Sequence, residues 1–440
     1  MNTKPPNILI VHAHDMGRYN SIYGHPTPTP AMHAFAREGL TLRDAHCAAP
    51  TCSPSRAAML TGLTAHETSV LGLVHRGFTL NQPDRHLARI LAKAGYHTVR
   101  AGLQHEYAIE KTGELYDDVR EGTHAEAERD LIVGEQAADF LSHAPTDQPW
   151  FLWVGFFYPH RDFLPHDPER HNPNHIAVPA PLPDTPETRE DMADYHATVE
   201  VTDQAFAKVL AGLEASGQAE NTLVILTTDH GIAFPDMKCN LTAHGTGVTW
   251  VLRLPNLIPA GLVSDSLVSH LDLVPTVLDL AGIPQPQELH GHSLRPLFSN
   301  PNTVIRDDLY AEVNLHAAAD PMRMVRTKTN SYIRIFDPLP GTPMPNVDNG
   351  LAKSVWLEAG WTQRPRSEVS LFDLVFDPQE RNNLADHPEH ADCLQEMHTR
   401  LDTWMRRTSD PLLYGPLKIP KGSKLNSRSD ISPKGKVFEH

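Results

Sequence analysis

The chain is poor in cysteine, in cationic charge and in long apolar runs. Four cysteines in 440 residues (Cys47, Cys52, Cys239 and Cys393) are too few and too scattered for a disulfide framework or a paired-cysteine zinc site. No apolar stretch approaches the length of a membrane-spanning helix. The opening MNTKPPNILIVHAHD breaks off into histidine too early for the apolar core of a secretion signal. These absences predict a reduced, cytoplasmic protein. Lys and Arg total 38 against 54 Asp and Glu, a formal charge of −16, which disfavours wrapping nucleic acid or an anionic membrane. Internal repeats are also missing. What is abundant is histidine, with 27 copies, a residue that ligates metals and moves protons near neutral pH.

Hydrophobic residues make up 40% and charged residues 21%, enough for a sizeable core. Short apolar runs at Ile8–Val11, His97–Arg100, Trp150–Gly155 and Thr222–Thr227 read as buried strands. Between them lie helical patterns, such as Met192, Tyr195, Val199, Thr202, Phe206, Val209 and Leu213 on one face. Strands alternating with helices predict an α/β fold with a mostly parallel central sheet flanked by helices. In such folds ligands collect beyond the carboxyl ends of the strands. Two of those ends carry His14-Asp15 and Asp229-His230. After about residue 300 the pattern changes. Met322–Arg326 and Ser331–Phe336 read as a hairpin, Pro338–Gly350 as a Pro/Gly-rich loop, and Ala391–Met405 as a helix. We therefore expect a catalytic α/β domain over 1–310 and a smaller α+β subdomain with a tail over 311–440. From Lys418 the tail reads as a surface arm or a disordered end.

The most specific string is Ala49-Pro50-Thr51-Cys52-Ser53-Pro54-Ser55-Arg56, followed by Ala57-Ala58-Met59-Leu60-Thr61-Gly62. It sets a cysteine in a tight turn, with an arginine four residues later at a helix start. The free N–H groups and dipole of that helix end would let Cys52 and Arg56 face an anion together. A buried cysteine before an ordinary helix is the plainer alternative. The string resembles the signature of the type I sulfatases of the alkaline phosphatase superfamily, whose cysteine is oxidised after translation to formylglycine. Pro6-Asn7-Ile8 to Asp15-Met16-Gly17, Asp229-His230-Gly231, Asp272–Thr276, His290–Leu294 and Leu371–Leu374 with Asp377-Pro378 resemble further landmarks of the family. The likeness covers about residues 6 to 406. Phe151–His160, Thr228–Pro235 and Pro321-Met322-Arg323 look most like its heparan N-sulfatase (sulfamidase) branch.

The resemblance implies a sulfatase acting on a sulfate ester or N-sulfate of a small sugar of glycosaminoglycan-fragment type. Cys52, as formylglycine, would be the nucleophile. One geminal hydroxyl attacks sulfur and the other expels sulfate, a route that no unmodified side chain offers. A formylglycine-generating enzyme or radical maturase would be the partner that converts it. Arg56 would hold the hydroxyl and sulfate oxygens, His105 would act as a base, and His160 and Lys238 would bind sulfate and protonate the leaving group. One divalent metal would be held by His14, Asp15, Cys52, Asp229 and His230. Family habit favours Ca²⁺. His14, standing where the family has aspartate, moves the preference toward Mn²⁺ or Zn²⁺.

A second departure lies at Gly102-Leu103-Gln104-His105, where Leu103 replaces the family lysine. Gln104 or His14 is expected to compensate as a donor. Among the other histidines, His12 reads as a satisfied core residue, and His66 and His75 as candidates for the pocket wall. His316 is a candidate for the sugar side and, equally, for a surface loop. His166, His171 and His175 read as solvated. An alternative within the fold is a phosphonate monoester or phosphodiester hydrolase. A third reading takes His12-Ala13-His14-Asp15 as the His-x-His site of an amidohydrolase barrel. If Cys52 stays unconverted, a sugar-sulfate binding protein results.

Overall fold

The computed structural model describes residues 4–121, 128–338 and 340–440. Part of the opening string and one position of the Pro/Gly-rich loop therefore lie outside the described residues.

Eight strands form the main sheet: β1 Asn7–Ala13, β2 Leu40–His46, β3 His97–Gly102, β4 Asp118–Arg120, β5 Trp150–Gly155, β6 Thr222–Thr228, β7 Trp250–Arg253 and β8 Leu262–Ser269. Their order is β4-β3-β5-β1-β6-β7-β2-β8. Only β7 runs antiparallel to its neighbours, β6 and β2. The continuous apolar runs of β1, β5 and β6 follow from this position, because each is buried on both faces. In β1, Ile8 and Ile10 point into one core layer, while Leu9, Val11 and Ala13 point into the other. The long helix Pro186–Ala215 and the helix Arg129–Ser142 cover one face; Cys52–Thr61 and Leu273–Ala281 cover the second. An open sheet of this kind excludes the amidohydrolase barrel.

A second, antiparallel sheet has the order β12-β11-β10-β9, with β9 Asp308–Leu315, β10 Ala319–Thr327, β11 Asn330–Ile335 and β12 Val369–Asp373. The expected hairpin is β10–β11, registered from Met322 opposite Ile335 to Arg326 opposite Ser331. The helix Ala391–Arg407 packs on this sheet through Met397, Leu401 and Trp404. The tail is an arm over the surface rather than a disordered end. It folds into a small hairpin, Lys424–Asn426 with Val437–Glu439, and Arg76 donates to Asn426 and to the Pro433 carbonyl.

Candidate active site

The carboxyl ends of β1, β2, β3, β5 and β6 converge on one buried cluster. At the end of β1, Asp15 turns out of the strand with φ +51°, a conformation that a short acidic side chain tolerates. Its backbone N–H donates to Asp229 Oδ1 at 2.8 Å, tying the ends of β1 and β6 together. Gly231 follows His230 because a Cβ there would lie 1.9 Å from the His244 carbonyl oxygen. Cys52 opens the Cys52–Thr61 helix, and Ser55 in its first turn donates to the Asp229 carbonyl at 2.6 Å.

His14, Asp15, Cys52, Asp229 and His230 each bring one donor atom within 4.8 Å of all the others, and all five are buried. The His14 Nδ1 atom lies 2.6 Å from Asp15 Oδ1 and 3.1 Å from Asp229 Oδ2. His230 donates from Nδ1 to the Gly231 carbonyl at 3.0 Å, which leaves the Nε2 lone pair facing Cys52 Sγ at 3.4 Å. That tautomer is the one a metal ligand requires. Two carboxylates, two imidazoles and residue 52 therefore make a donor set that fits one divalent cation.

Burial opposes ionisation of Asp15, but Lys238, His230 and His160 outweigh it and hold the carboxyl below its usual range. Asp229 behaves likewise under His230, His14 and Arg56. Both acids are thus ready-made anionic ligands. Burial also pushes the Cys52 thiol well above its ordinary value, against the pull of Lys238.

Cations surround the cluster. Arg56 is fully buried and donates from Nη2 to Asp229 Oδ2 at 3.2 Å, while its Nε and Nη1 find no partner among the described residues. Lys238 donates to Asp15 Oδ2 and Asp348 Oδ2, each at 2.8 Å. The His160 Nε2 atom stands 4.0 Å from Asp15 Oδ2, and its ring meets that of His14 edge-on at 4.6 Å. His105 is set further back, 6.3 Å from the His14 ring between centroids. Burial first, then Arg56 and His75, keep its imidazole neutral at ordinary pH. An anion entering here would meet unfilled N–H donors, a buried ammonium and the neutral imidazole of His105.

Several sequence expectations change. Gln104 does not replace the missing lysine, because its amide already donates to the Tyr107 carbonyl and to Thr112. His14 turns its Nδ1 onto two carboxylates, which occupies that nitrogen. His12 is in the core but unsatisfied: both ring nitrogens lack partners among the described residues, and the ring packs 5.1 Å from that of Trp153. His66 is bound to Glu312 at 2.9 Å rather than lining the pocket, whereas His75 Nδ1 meets His105 Nε2 at 3.1 Å, the two rings lying parallel and edge to edge. His166 and His171 are not solvated; they hold Asp194 and Glu200 on the long helix. His175 is exposed as expected. His316 is buried, its Nδ1 without a described partner.

The residue that the sequence did not single out is Asp348. It lies in the Pro/Gly-rich loop, and its contact with Lys238 spans 110 positions, so no local pattern announces it.

A sulfatase family model matches residues 6–283, and a model described as the C-terminal part of N-sulphoglucosamine sulphohydrolase matches residues 241–339. Human N-sulphoglucosamine sulphohydrolase is 30% identical, over 94% of this chain and 92% of its own. A solved protein bound to D-glucosamine-2-N,6-O-disulfate superposes with a TM-score of 0.73 at 20% identity, covering 94% of this chain and 99% of its own. The phosphonate monoester hydrolase of Silicibacter pomeroyi superposes at 0.71 with 18% identity, over 97% of this chain and 100% of its own. At such identities the two structures show a shared fold and leave the chemistry to the site. With the matched family model covering more than half the sequence and a 30% identical relative spanning nearly all of it, the chain belongs to the sulfatase family and is a sulfuric ester hydrolase or sulfamidase.

Proposed function

We propose that this sulfatase hydrolyses the sulfate ester or N-sulfate of a small sulfated sugar, of the kind released from glycosaminoglycans, with Cys52 acting as formylglycine. The observation that carries the reading is the buried five-donor cluster that includes Cys52 at a helix start. The names of the relatives support the substrate class, since one acts on N-sulphoglucosamine and another was solved with a disulfated glucosamine.

In this reading His14, Asp15, residue 52, Asp229 and His230 hold one divalent ion, for which we propose calcium. Such an ion supplies Lewis acidity toward a sulfate oxygen and toward the hydroxyl at position 52. Arg56 receives sulfate oxygens on its free Nε and Nη1. Lys238 and His160 stand on the leaving-group side and deliver a proton there. His105, kept neutral by burial, takes the proton released when the second hydroxyl collapses to the aldehyde. The conversion of Cys52 falls to a separate formylglycine-generating enzyme or radical maturase. Four unpaired cysteines support a reducing, cytoplasmic setting.

The test is the mass of the tryptic peptide Asp44–Arg56 from protein made in its own cell. An aldehyde at position 52 is expected, together with turnover of an aryl sulfate. A thiol throughout would overturn the reading. Faster turnover of an aryl phosphonate would replace it with the phosphonate hydrolase alternative, which the Asp229-His230 pair favours. Metal analysis of the purified protein is expected to find calcium; manganese or zinc would correct that assignment.

A further inference from the structure

An anion-binding site gains nothing obvious from a second carboxylate beside its lysine, yet Asp348 is held there firmly. Lys353 reaches back from the helix Leu351–Glu358 and donates to the carbonyls of Met344 at 2.9 Å and Val347 at 2.6 Å, and to Asn349 at 3.0 Å. Asn346, inside the same loop, accepts from the backbone N–H groups of Ala317 and Ala318. Asp191 on the long helix caps Ala352 and binds Arg161, the neighbour of His160, through both carboxylate oxygens. Four segments thus fix the loop that presents Asp348. One oxygen, Oδ2, accepts from Lys238. The other takes no hydrogen bond from the described residues, and the side chain keeps 15% of its surface open. His316 is within electrostatic reach of Asp348, its Nδ1 without a partner among the described residues.

We infer that Asp348 determines specificity: its free carboxylate oxygen accepts a hydroxyl of the sugar beside the sulfate group, and its charge excludes a second sulfate from that position. This rests on the sugar-sulfatase reading above. A carboxylate locked in place is a strong acceptor for a neutral O–H, and hydrogen bonds to a charged partner are stronger than neutral ones. The same charge repels an anionic substituent a few ångströms away in a poorly screened pocket. Selection here is by repulsion as much as by contact. The preferred substrate is therefore monosulfated on the face that meets this loop.

The experiment compares kcat/KM for N-sulfoglucosamine with kcat/KM for its 3-O-sulfated and 6-O-sulfated counterparts, in the converted enzyme and in Asp348→Asn. The amide is the same size; its single oxygen stays on the Lys238 ammonium, so an N–H donor replaces the free acceptor oxygen and the charge goes. The wild type is expected to favour the monosulfated sugar over one disulfated counterpart by about 10–100-fold, and Asp348→Asn to reduce that ratio by about 10-fold or more. A ratio within an enzyme does not depend on the fraction that folds, so partial misfolding cannot mimic the result. An unchanged ratio in the variant overturns the inference. Wild-type enzyme that turns over none of the three sugars, while still cleaving an aryl sulfate, overturns the substrate reading instead.

Discussion

At the scale of single residues, Arg56 shows how the site is prepared for an anion. A fully buried guanidinium with Nε and Nη1 unfilled carries a desolvation cost that only an incoming acceptor can offset. Lysine at this position keeps the charge but loses the planar fork. Arg56→Lys is expected to lower kcat/KM on an aryl sulfate by about 10²–10³-fold. A loss below threefold would mean that the arginine is a structural partner of Asp229 alone. At this scale the sequence was a good guide wherever chemistry sits in a short string, as at Cys52–Arg56 and Asp229-His230. It failed for Asp348 and for the His75–His105 pair, whose partners are brought together only by tertiary folding. Leu103 illustrates the same limit. The sequence flags a lost lysine, but Gln104, the adjacent candidate to replace it, is already occupied by its own turn.

Secondary-structure elements were easier to read. Strands β5 and β6 were legible because uninterrupted apolar runs mean burial on both faces, and the 3.6-residue pattern of the long helix held from Met192 to Leu213, about six turns. The loops between them were not legible, because their order comes from caps and ion pairs. Asp130 is one such cap: from the first turn of its helix it accepts the N–H groups of Phe157 and Tyr158, in the turn that leads to His160. Burial raises its carboxyl to about 7, despite those two hydrogen bonds. The unfolded carboxyl titrates near ~4. Between these values the folded protein keeps a proton that the unfolded chain has lost. Its contribution to stability is therefore greatest below pH ~4, falls by about 1.4 kcal/mol per unit as pH rises, and levels off above pH ~7. Asp130→Asn cannot ionise and removes this term. Thermal unfolding of both proteins across that window checks it, and parallel curves would count against the raised carboxyl.

For the molecule as a whole, the net charge of −16 says little about substrate, because the local arrangement of Arg56, Lys238 and imidazoles governs the pocket. Two ionised carboxylates buried in one cluster leave a negative centre that a bound cation relieves, so metal and fold should be linked. Chelation with EDTA is expected to lower Tm by about 5–10 °C, and added calcium to restore it. A Tm indifferent to chelation would argue that the five donors satisfy one another without an ion.

The lone antiparallel strand has a consequence of its own. Because β7 returns against β6, the chain leaves and re-enters the sheet at the same end of its strands. All of 229–249, with Asp229, His230 and Lys238, stays on the side of the site as one excursion. A parallel β7 would have required the chain to cross back to the opposite end of the strands before re-entering. The segment is therefore a cassette: in chimeras between sulfatases its exchange would carry Asp229, His230 and Lys238 together without rethreading any strand.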